Sequence, residues 1–207
     1  MMKPVLLVVS AMFLGGCAGK TNYQPPSSSM SIANTVTISS PRDQVWSRII
    51  PALENSSFVA KDLDKDSGFI YLSYSGNPEK YIDCGHIESN EKNARGERKY
   101  NFPAATADKE YEISGNDSQV WRIRRKMHLD GNISISVQDA GNGSTLVSVN
   151  TEYVVTKYVI GTDSQDRSQS FMDRISFNTN GSASFPQKTT CSATGALEKE
   201  VLDTLNM

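Results

Sequence analysis

From Val120 to Ile160 the chain alternates apolar and polar side chains with few interruptions. Trp121, Ile123, Met127 and Leu129 share one parity, with Arg125 as the odd member. Arg122, Arg124, Lys126 and His128 share the other. Ile133, Ile135 and Val137 then alternate with Ser134, Ser136 and Gln138. A two-residue period puts successive side chains on opposite faces of a strand, so this stretch belongs to an antiparallel sheet with one buried face and one wet face. Asp130-Gly131 is a tight-turn signal, which predicts a strand over Val120–Leu129 and a return over Asn132–Gln138. Asp139–Gly143 predicts a second turn, and Ser144–Ile160 a long strand after it.

The flanking segments add helices and further strands. Ile32–Ile38 reads as a strand. Ser40-Pro41-Arg42-Asp43 reads as a helix start, with a capping serine, a proline suited to the first turn and an acid at the positive helix end. Val45, Trp46, Ile49, Ile50 and Leu53 follow at helical spacing, with Pro51 late in the run. Phe58–Lys61 and Phe69–Ser75 read as a hairpin in which Phe69, Tyr71 and Ser73 face one way and Ile70, Leu72 and Tyr74 the other. Glu88–Lys109 is densely polar and is expected to be a long loop or insertion. Asn178-Thr179-Asn180-Gly181 can turn a small hairpin, and Leu197, Val201, Leu202 and Leu205 mark a closing amphipathic helix. Strands between two terminal helices predict a single α+β domain over 32–207, an antiparallel sheet with the N-terminal and C-terminal helices packed on one face.

The start of the chain has a different character. Lys3 precedes a short apolar run from Pro4 to Leu14, and Leu14-Gly15-Gly16-Cys17 ends it. The run is too short to span a bilayer, which takes about 20 apolar residues. The segment resembles a bacterial lipoprotein signal peptide with its lipobox. That resemblance implies removal of 1–16, acylation of Cys17, and attachment of the mature chain to a membrane through lipid. Ala18, where an aspartate would signal retention in the inner membrane, implies the outer membrane with the domain facing the periplasm. Residues 17–31, with Pro25, Pro26 and Ser27-Ser28-Ser29, are expected to form a lipidated cysteine and flexible tether. Cys17 being taken by lipid, Cys84 and Cys191 remain, and an even pair in an oxidising compartment reads as a disulfide, with two separate buried thiols as the alternative.

A search for chemistry finds little. The formal charge of -2 carries no basic excess, so nucleic acid is not an expected partner. His86 in Cys84-Gly85-His86 is half a metal site with no second half, and no metal or other cofactor is expected. Asp62, Asp64 and Asp66 faintly resemble a calcium loop, without the closing glutamate. Gly141-Asn142-Gly143 fits a turn better than a phosphate cradle. His128 reads as a surface histidine. Arg122, Arg124 and Lys126 are the clearest charged cluster, read either as a contact for an acidic partner or lipid headgroups, or as a solvated face paired with Glu152.

The element order resembles the helix-grip arrangement and the domains of component C of the β-barrel assembly machine. The resemblance rests on the lipobox, the tether, the Ser40–Leu53 helix with its Phe58–Tyr74 hairpin, and the closing helix. The anchor, the tether, the small α+β domain and the lack of a catalytic set point to a non-enzymatic envelope scaffold or protein-interaction module, with envelope proteins as partners. The alternative is a carrier whose helix-grip cavity holds a lipid or other hydrophobic small molecule. A hydrolase assembled only in the fold is the third reading.

Overall fold

In the computed structural model residues 19–27, 31–54, 56–93, 96–114 and 119–205 are described. Strand makes up 61% and helix 13%. In chain order the elements are β1 (Lys20–Gln24), β2 (Thr35–Ile38), α1 (Arg42–Glu54), β3 (Val59–Asp64), β4 (Phe69–Gly76), β5 (Ile82–Asp83), β6 (His86–Asn93), β7 (Gly96–Pro103), β8 (Asp108–Ser114), β9 (Val120–Gly141), β10 (Ser144–Thr162), β11 (Ser168–Asn178), β12 (Ser182–Ser184), β13 (Thr190–Ala193) and α2 (Ala196–Leu205). They form three antiparallel sheets: β1-β6-β7, β12-β13-β5, and a large sheet ordered β11-β10-β9-β4-β3. In the large sheet β2 also pairs with β10, and β8 with β9.

The expected α+β helix-grip fold is therefore corrected to a mostly-β architecture. The main reason lies in Glu88–Lys109, expected to be a long loop, which instead holds most of β6, all of β7 and the start of β8. Burial alternates there: Ile87, Ser89 and Glu91 are buried on β6 while His86, Asn90 and Lys92 are exposed and Glu88 is half-buried, and Phe102 is buried at the end of β7. Lys and Glu on the outer face of a thin sheet hide the period from a hydrophobicity reading. The expected tether is corrected too, because Lys20–Gln24 pairs with β6 from Lys20↔Asn90 to Gln24↔His86.

The centre of the molecule is the β9–β10 hairpin, paired from Gly141↔Ser144 to Arg122↔Thr162. Asp130-Gly131 does not turn; it lies in mid-strand. A two-residue turn there would set Leu129 opposite Asn132 on one face, but the apolar series resumes at Ile133, in phase with Leu129 through Gly131. A continuous strand keeps Ile123, Met127, Leu129, Ile133, Ile135 and Val137 all buried on one face. The real turn is Gly141-Asn142-Gly143, with φ of 80°, 53° and 71°. β9 changes partner along its length: β8 pairs with Val120–Lys126 and β4 with Leu129–Ser136.

The two amphipathic stretches do form helices. α1 buries Val45, Trp46, Ile49 and Leu53, and α2 buries Leu197, Val201, Leu202 and Leu205. The helices pack on each other and on the buried face of β9 and β10. On that face Trp46, Ile49, Leu129, Tyr153, Leu197 and Val201 belong to one buried cluster. Glu198 is fully buried there, and the Tyr153 hydroxyl donates to its carboxylate at 2.7 Å. Cys84 and Cys191 form a disulfide that ties β13 to the segment after β5.

Candidate functional site

Among the described residues nothing packs over the opposite face of the large sheet. Its rows run across the strands. One row is Ser73, Asn132, Glu152 and Asn178, on β4, β9, β10 and β11. The next is Tyr71, Ser134 and Asn150. All of these but Ser73 border an open groove of about 550 Å³, which Lys61 also lines. Lys61 falls at the β-bulge between Ala60 and Asp62, where the β3–β4 register slips. Bulges re-aim side chains in this way near sites. Asn132 Nδ2 donates to Glu152 at 3.1 Å, and Asn34 Nδ2 donates to Asn150 Oδ1 at 3.1 Å. The Tyr71 hydroxyl, the Lys61 ammonium and the Asn178 amide have no side-chain hydrogen bond among the described residues. Beside the groove Phe69 and Tyr71 stack, centroids 6.4 Å apart and planes 20° apart, and both rings are exposed.

Further along the same face lie Arg122, Arg124 and Lys126. The structure does bring them together, and it sets them opposite β8, with Arg122↔Glu112, Arg124↔Glu110 and Lys126↔Asp108. Arg124 forks onto Asp108 at 2.8 and 3.2 Å and approaches Glu110 at 3.8 Å. Lys126 lies 3.9 Å from Asp108 and Arg122 3.6 Å from Asp166. The Arg124 hydrogen bonds hold the Asp108 carboxyl below its ordinary range. The stripe is thus neutralised from β8 and from the β10–β11 loop, and not by Glu152, which faces Asn132 instead. The sequence carries no sign that Asp108, Glu110 and Glu112 lie beside this stripe, because that depends on β8 pairing with β9.

Between the groove and this stripe, Ser75, His128 and Asp130 meet. Ser75 Oγ is 3.0 Å from His128 Nε2 and donates to Asp130 Oδ1 at 2.7 Å. Asp130 Oδ1 also lies 3.3 Å from that same Nε2. A nucleophile–base–acid relay needs the acid on the far ring nitrogen, with the base free to take the serine proton. Here the acid binds the serine directly and shares its nitrogen, and His128 and Asp130 are about half exposed, 50% and 44%. The three form a surface hydrogen-bond cluster.

The buried face holds two cations. Arg125, the odd member of the apolar series, donates from Nη1 to the Ala104 carbonyl, and its buried Nη2 has no hydrogen-bond partner among the described residues. Burial lowers its pKa to about 10. Lys157 lies diagonally across β10, 2% exposed, near Asp173 at 3.5 Å and donating to Gln187. Its ammonium also sits 4.2 Å from the Phe185 ring centroid. Burial, then the Arg125 charge, lower its pKa to about 8. The two side chains clip the Ala104 and Gln187 loops onto the sheet.

Cys84 is taken by its disulfide, and no group of three metal-ligating side chains occurs among the described residues. Asp64 accepts from the Asp66 and Ser67 amides, which makes the Asp62–Asp66 stretch a capped turn. Cys17 lies outside the described residues. No helix of the described residues is long and apolar enough to cross a membrane. Comparison with protein-family models, with curated proteins and with solved structures returned no match.

Proposed function

We propose that the chain is a lipid-anchored envelope protein, held at Cys17 in the outer membrane and facing the periplasm, that acts without catalysis as a binding platform for other envelope components. The observation that carries this reading is the uncovered sheet face. The seven strands of the large sheet are held in register over one buried cluster, and the other face is left with exposed Phe69, Tyr71, Tyr158 and Met172 among polar side chains. Rigid sheets with exposed aromatic and methionine side chains suit recognition, because little order has to be created on binding. The Ser75–His128–Asp130 geometry supports a binding role over a hydrolytic one. The buried cluster behind the sheet favours the platform over the carrier.

The test is photo-crosslinking in intact cells from a benzoyl-phenylalanine placed at Tyr71 of the full chain. Discrete adducts with envelope components are expected. Recovery of the uncrosslinked chain alone, from protein that fractionates with membranes, contradicts the platform.

A further inference from the structure

We infer that the groove bordered by Lys61, Tyr71, Asn132, Asn150, Glu152 and Asn178 is a binding site for a neutral, linear β-1,4-linked glycan. The inference rests on the uncovered face being the working surface and names the chemistry of what it takes. Sugar hydroxyls donate and accept at once, and they are best met by side chains that do the same. Three amides and a carboxylate stand on neighbouring strands here, with the Tyr71 hydroxyl, the Lys61 ammonium and the Asn178 amide uncommitted within the described chain. Sugar rings also carry a flat C–H face that settles on aromatic rings. Phe69 and Tyr71 supply two nearly parallel rings, side by side and exposed, at the edge of the polar rows. Equatorial β-1,4 linkages make a chain into a flat ribbon, which matches a sheet surface.

Competing occupants fit less well. The groove carries one cation and one carboxylate, so it does not select a polyanion. The nearest basic stripe is already neutralised by Asp108, Glu110 and Asp166. A peptide adding as a strand would use the open edges of β3 or β11, not the middle of the face.

Calorimetric titration of the detergent-solubilised full chain tests this, with chitotetraose and cellotetraose as probes. Saturable binding of either supports the site, and the comparison tells an N-acetylated chain from a plain one. Tyr71→Ala should weaken binding about tenfold or more, the loss of one stacking anchor. Glu152→Gln should weaken it several-fold, and Arg48→Gln, exposed on α1 and outside the sheet face, should leave it unchanged. Circular dichroism confirms that each variant is folded. Absence of binding of both sugars to the wild type overturns the inference, as does binding that survives Tyr71→Ala. Failure here, with crosslinks from position 71 still reaching an envelope protein, removes the glycan and leaves the platform. Failure of both removes both.

Discussion

Gly131 lies directly opposite Tyr153 in the middle of the β9–β10 ladder, buried beneath α2. A Cβ added there would meet Leu197 Cδ1 at 3.4 Å, Tyr74 Cβ at 3.6 Å and Thr151 Cγ2 at 3.7 Å, all ordinary contacts. Its φ is not positive, so no left-handed conformation would be strained. Glycine in a strand costs roughly 0.5–1 kcal/mol relative to alanine. Gly131→Ala should therefore leave stability unchanged or raise it by up to about 1 kcal/mol in urea unfolding. Gly143→Ala, at φ of 71°, should lower it by about 1 kcal/mol. A loss at 131 as large as at 143 would mean that the chain does turn at Asp130-Gly131.

The phase of the apolar series was legible before any coordinates, and it already opposed a turn at that dipeptide. So was the anomaly of Arg125, one charge in a buried row. The strands of 86–114 were not legible, because their outward residues are charged and their buried ones include Ser89 and Glu91. The groove and the Ser75–His128–Asp130 cluster were out of reach for another reason. Each depends on which strand lies beside which, and β4 pairs with a strand some 55 residues further along the chain.

Lys157 makes stability depend on pH in the alkaline range. Its folded pKa is about 8, against an ordinary 10.5. Below 8 the lysine is charged in both folded and unfolded chains, and the folded state bears the full desolvation cost. Above 8 the folded chain releases the proton while the unfolded chain keeps it, so stability rises with pH. The raised Tyr81 and Tyr153 oppose this only above the ordinary tyrosine value of 10.0. Between pH 8 and 10 the gain should approach about 1.4 kcal/mol per pH unit. Urea titrations across that range should show it, and Lys157→Met should abolish the slope.

Tyr153 and Glu198 test the buried face differently. Tyr153→Phe strips a fully buried carboxylate of its hydroxyl donor and should cost roughly 1–3 kcal/mol. Removing both polar groups, as Tyr153→Phe with Glu198→Leu, should recover part of that loss. A double variant no better than the sum of its singles would show that the pair does not interact.

The Cys84–Cys191 bridge spans 107 residues of sequence. In the chain-entropy model a loop near 100 residues is worth about 4.7 kcal/mol, and native disulfides removed from small secreted domains typically cost about 2–5 kcal/mol. The double serine variant should lose stability on that scale. Both sulfurs are buried, so mild reductant should act only once the fold opens.

Everything proposed for the uncovered face depends on where the chain is held. Mass spectrometry of the intact protein extracted from membranes measures that directly. The expected species begins at Cys17 and carries a diacylglycerol and a third acyl chain, and Cys17→Ser abolishes both processing and membrane retention. A chain that keeps Met1, or that is cut elsewhere and bears no lipid, would contradict the anchor and the platform built on it.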